Sequence, residues 1–130
     1  MERIAQQLTL LEETYRKFTE IGWRKDDERK RDLVATRRTL SEQLISLEQL
    51  VTDVGGPLID PALKREFGIR LSKLRSEFAY HQASWPAVRL EEESAEYRRS
   101  SQHVDATFRD FIQWGGRSLP RDTSPHQRFA

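Results

Sequence analysis

The sequence predicts an all-α protein, an antiparallel four-helix bundle, on three observations. Apolar residues recur at steps of three and four along most of the chain, breaks interrupt this pattern at three places, and each stretch between breaks is long enough for several helical turns. Composition agrees: hydrophobic residues make up 36% and charged residues 33%, a balance that suits helices with a narrow apolar stripe and a broad solvated face. A chain of 130 residues fits a single domain.

The first stripe is Ile4, Leu8, Leu11, Tyr15 and Phe18, which places a helix over about 2–21, ended by Gly22. The second, Leu33, Leu40, Leu44, Leu47, Val51 and Val54, lies one residue out of register with the first and carries Arg37 on a stripe position. That displacement predicts a break at 22–26 and a helix over about 26–54 capped by Asp26 or Asp27, whose carboxylate would accept a free backbone N–H. Gly55-Gly56-Pro57 then predicts a chain reversal, because two permissive residues precede one that cannot continue a helix. Asp60-Pro61 is a helix start, with Asp60 as cap and proline preset at the first helical position, and the stripe Phe67, Leu71, Leu74, Phe78, His81 and Trp85, flanked by Leu63, gives a third helix over about 61–83. Ser84-Trp85-Pro86 interrupts it. A fourth helix over about 85–114, with Ser84 as its cap, carries Leu90, Tyr97, Val104, Phe108 and Phe111 with Ser94 and Ser101 between them, and Gly115-Gly116 ends it. Residues 1–116 thus form one helical domain and 117–130 a flexible tail.

Gly22 and Ser84-Trp85-Pro86 lie about equally far from the central turn. If both are reversals, four helices close into a bundle; if both are kinks, the chain is a long hairpin with arms of about 80 Å that must dimerise to bury its stripes. The bundle is preferred.

Lysine plus arginine number 22 against 21 for aspartate plus glutamate, so no single-sign field favours nucleic acid, an anionic membrane or an acidic substrate. The chain has no cysteine, which removes disulfides, thiolate nucleophiles and cysteine metal sites. No apolar run approaches the roughly 18–20 residues that span a bilayer, and the start at Met1 leads directly into an amphipathic pattern, so a cytoplasmic protein is expected.

Chemistry-bearing constellations are few. Glu77 and His81 share a helix face, but a metal centre needs at least three ligands, and His103 and His126 are too isolated to supply them. No glycine-rich phosphate loop and no nucleophile elbow occurs. No catalytic residue, cofactor or metal is therefore expected. His81 could serve a histidine phosphotransfer module, since such modules are small helical bundles, although its alignment with Phe78 and Trp85 predicts partial burial and the following Gln82-Ala83-Ser84 lacks the lysine and glycine expected there. The basic segment Arg24, Lys25, Arg29, Lys30, Arg31, Arg37 and Arg38 is a weak nucleic-acid candidate because Asp26, Asp27, Glu28 and Asp32 interleave it and pairs such as Asp26 with Lys30 and Asp27 with Arg31 would neutralise it. Glu91, Glu92, Glu93 and Glu96 form an acidic patch that the dipole at a helix start already favours.

Trp23, Trp85 and Trp114 each stand beside an expected helix boundary, as plugs for the end of a core or as anchors for a partner. With Arg24, Tyr80, His81 and Arg37, the pair Trp23 and Trp85 forms the candidate partner-binding set. The resulting expectation is a non-enzymatic helical protein of regulatory or adaptor type that binds another protein and forms a homodimer. The alternatives are a phosphotransfer module using His81 and weak nucleic-acid binding through 24–38.

Overall fold

The stripe Ile4, Leu8, Leu11, Tyr15 and Phe18 is buried throughout, and it brings Ile21 with it, one turn beyond Phe18. In the computed structural model, which describes residues 3–53, 60–85 and 95–119, these residues lie on α1 (Arg3–Trp23). They pack with α2 (Arg29–Thr52), α3 (Pro61–Ser84) and α4 (Ala95–Ser118) in an all-α four-helix bundle. The interruption at Gly22 is a reversal and not a kink. Gln7 near the start of α1 approaches the carbonyl of Gln43 in the second half of α2, while Arg29 at the start of α2 donates to the carbonyl of Gly22 at 2.6 Å. Collinear helices, as in the long hairpin, could not make both contacts. The α1–α2 and α3–α4 pairs are the broad ones, and the α1–α4 contact is narrower.

The core is continuous across all four helices. Leu11, Leu47, Val51, Phe67, Leu71 and Leu74 are almost wholly removed from solvent, each such side chain stabilising the fold by about 1.5–3 kcal/mol relative to exposure. Aromatic rings tie the pairs together: Tyr15 stacks on Phe108 with centroids 3.8 Å apart, Phe78 meets Tyr15 and Phe18 edge-on, and Phe67 tilts against Phe111. Between α2 and α3, Arg75 pairs with Glu48 at 3.1 Å.

Asp60 caps α3 as its sequence predicts, its carboxylate accepting from the Ala62 N–H at 2.9 Å, with Pro61 opening the first turn. Four expected boundaries differ, the first being that α1 continues through Gly22 to Trp23. Helix α2 begins at Arg29, not at 26, and its N-cap Glu28 makes no side-chain capping bond. The Asp26 carboxylate is held chiefly by the Arg24 side chain, through Nε at 2.7 Å and through Nη2, and its backbone contact is to Glu28, before the helix begins. Trp85 does not open a fourth helix: it ends α3, its N–H donating to the His81 carbonyl at 2.8 Å. Gly115 and Gly116 do not end α4, which runs to Ser118. A Cβ on Gly115 would stand 3.3 Å from Leu8 Cδ2, so the missing side chain lets α1 and α4 approach, and buried Leu119 anchors the last turn. The Gly55-Gly56-Pro57 turn, Pro86, Leu90, Ser94, the glutamates at 91–93 and the tail from 120 onward lie outside the described residues.

Candidate functional site

From the close approach of Leu8 to Gly115, the seam between α1 and α4 opens toward the end of α1. Beyond a small depression of about 180 Å³ at the Leu8–Gly115 contact, two larger ones follow it. A shallow one of about 530 Å³ runs from Thr9 to Thr19 against Phe108, Ile112 and Arg109. A deeper one of about 350 Å³ lies between Phe18, Gly22 and Trp23 of α1 and Tyr97, Arg98, Ser101 and Val104 of α4, and also reaches Leu33 of α2 and His81 of α3. Tyr15, Thr19, Asp105 and Arg109 line both, so the two form one groove. Side chains bridge the two helices along it: Tyr15 stacks on Phe108 between the two depressions, and at the wide end the Tyr97 hydroxyl stands 4.0 Å from where a Cβ on Gly22 would be.

A buried polar cluster backs the wide end. The His81 ring is 2% exposed, stacks on Tyr97 at 5.6 Å, and shares a 2.6 Å hydrogen bond between Nδ1 and Ser100 Oγ. Trp85 tilts against the same tyrosine at 5.4 Å. Arg37 Nη2 donates to the Trp85 carbonyl at 2.9 Å, while its buried Nε has no hydrogen-bond partner. Burial pushes the Arg37 guanidinium below its ordinary range. Burial, reinforced by the Arg37 charge, lowers the His81 pKa to about 4, so the imidazole is neutral at physiological pH. Tyr15 is shifted the other way: burial, then the neighbouring Asp105 carboxylate, raises its pKa and keeps the phenol protonated.

The structure thus joins three of the six candidate partner residues, His81, Trp85 and Arg37, but inside the protein. Their link is Tyr97, which belongs to the stripe but carries no signal marking it as a hub. Trp23 is 66% exposed on the groove's rim. Arg24 turns to Asp26 and Asp32, at 2.9 Å from the latter, and this pairing lowers the Asp26 pKa to about 2. Tyr80 is 72% exposed and is not among the groove residues. Trp85 and Trp114 are buried, the latter beneath the Arg70 guanidinium at 5.0 Å. Of the three tryptophans, Trp23 alone has an anchor's exposure.

Several expected partnerships are replaced. Glu77 pairs with His103 at 2.9 Å and not with His81, which turns to Ser100. Arg37, the charge on the α2 stripe, meets a backbone carbonyl, that of Trp85. In the basic segment Arg31 pairs with Glu28 and Asp32, and Arg29 and Arg37 point inward to carbonyls. Among the described residues no group of three or more His, Asp or Glu is placed to hold a metal ion, and no helix is long and apolar enough to cross a membrane. No family model, curated protein or solved structure matches the chain.

Proposed function

We propose that the protein is a non-enzymatic helical interaction module of regulatory or adaptor type, working in the cytoplasm, whose partner protein docks over the open seam between α1 and α4. The observation that carries this reading is Trp23: a large ring 66% exposed, held at the rim of a groove whose walls are Tyr15, Phe18 and Tyr97. Exposed tryptophan beside a pocket has the composition of an interface hot spot. Arg24, tied to Asp26 and Asp32, fixes the turn that presents it.

The phosphotransfer alternative has no comparable support, since its histidine must meet a phosphoryl donor in solvent and His81 is 2% exposed. Nucleic-acid binding through 24–38 is disfavoured by the pairing of Arg24 and Arg31 with acids and by the inward turn of Arg29 and Arg37. The homodimer expected from sequence retains a candidate face on the outside of α1 and α2, where Leu10, Val34 and Ile45 are each about half exposed. Light scattering on the eluting protein tests it.

Photo-crosslinking tests the docking site. The full chain carrying p-benzoylphenylalanine in place of Trp23 is predicted to trap a discrete partner band in cells, and the same probe in place of Tyr80 is not. Equal labelling at both positions, or none at Trp23, would refute the assignment.

A further inference from the structure

We propose that the wide end of the α1–α4 seam binds a small planar aromatic acid, one or two fused rings carrying a single carboxylate. A cavity of about 350 Å³ stands at the lower end of the range for small-molecule clefts, about 300–1,000 Å³, which limits the occupant to a body of that size. Its walls select a flat one. Phe18 and Trp23 come from α1 and Tyr97 from α4, so aromatic rings border the cavity from both sides of the seam, and Val104 adds an apolar surface. Its mouth selects charge. Arg98 lines the cavity, is exposed, and enters no ion pair among the described residues, whereas Arg109 on the same rim is already matched by Asp105 at 3.0 Å. Among the described residues the cavity therefore has one cation in excess, placed where the polar end of a bound ring system would emerge, and a guanidinium fork matches a carboxylate.

The inference rests on the open seam on which the partner reading also rests, but it needs no protein partner. Isothermal titration of the full chain with naphthalene-2-carboxylate and with neutral naphthalene-2-carboxamide tests it. Saturable one-to-one binding of the acid is expected, at least tenfold tighter than the amide. Arg98→Gln is expected to reduce the acid to the amide's affinity while leaving the amide unchanged. Ser101→Trp, which fills the cavity from a half-buried position, is expected to abolish both, and Thr19→Trp serves the same purpose if the first variant does not fold. Absence of saturable binding, equal affinity for acid and amide, or undiminished binding to the filled variants would overturn the proposal. A chain that binds the acid yet crosslinks nothing at position 23 would retire the partner reading alone.

Discussion

Leu8 Cδ2 lies 3.3 Å from the point a Cβ on Gly115 would occupy, while a Cβ on Gly116, the next residue of the same helix, would meet nothing within 4 Å. This difference between adjacent glycines marks where α1 and α4 touch, and it separates their substitutions. Gly116→Ala is predicted to stabilise the protein by up to about 1 kcal/mol through helix propensity, as is Gly68→Ala in α3, whose Cβ would also be free. Gly115→Ala gives back most of that gain by pushing on Leu8, and Gly115→Leu destabilises by about 1–3 kcal/mol through overpacking. Denaturant melts of the four variants check the order. A stabilising Gly115→Leu would show that the helices do not approach there.

His81 makes stability depend on pH. Its pKa falls from 6.5 in the unfolded chain to about 4 in the fold, so between these values the unfolded state binds more protons than the folded one. Its contribution is fully present above pH 6.5 and is lost as pH falls toward 4, amounting to about 3 kcal/mol over that window. Relative to His81→Gln, the wild-type protein should lose stability across pH 6.5 to 4. Parallel curves for the two proteins would contradict the burial of this ring.

Arg37 is predicted to act on the same titration. Its charge is the second cause, after burial, of the lowered His81 pKa. Arg37→Met retains the packing volume and removes the charge, so the His81 resonance should titrate above about 4 in this variant when followed by NMR. An unchanged midpoint would mean that the guanidinium does not face the ring.

Asp60→Ala is expected to destabilise α3 by about 1 kcal/mol, the usual cost of an N-cap, because the carboxylate satisfies the Ala62 N–H. Asp26→Ala should cost no cap, since α2 starts beyond it at Arg29. In an Arg24→Gln background, where the ion pair is already absent, a loss on Asp26→Ala equal to that on Asp60→Ala, measured by urea unfolding, would return Asp26 to the role of helix cap.

Much of the fold was legible because burial follows the apolar stripes: every residue of the α1 and α3 stripes is in the core, His81 included. Local signals read well where one residue decides the outcome, as at Asp60-Pro61. They failed where two segments compete. Asp26 could cap α2 or pair with Arg24, and sequence spacing does not rank a hydrogen bond to N–H against a charge-assisted one to guanidinium. Gly115-Gly116 reads locally as a helix end, but Leu8, more than a hundred residues away in the chain, requires the small residue inside a helix. The groove was invisible for the same reason. Tyr15, Phe18 and Tyr97 read as ordinary core positions, and only the meeting of α1 with α4 shows that their outer edges border an open cavity. The aromatic markers at the interruptions were recognisable, yet which of Trp23 and Trp85 faces solvent depends on the helix ends that the reversal sets.

The central claim, that α1 folds back along α2 so that a single chain closes a bundle with an open α1–α4 seam, is tested most directly by one distance. The chain lacks cysteine, so spin labels on Gln7→Cys and Gln43→Cys report unambiguously by pulsed electron resonance, with labelled protein diluted into unlabelled. The approach of Gln7 to the Gln43 carbonyl predicts a label separation below about 25 Å, the helix spacing of about 10 Å plus two linkers. A single helix continued through Gly22 would place the same labels roughly 54 Å apart at 1.5 Å per residue, and that result would contradict the bundle and the groove together.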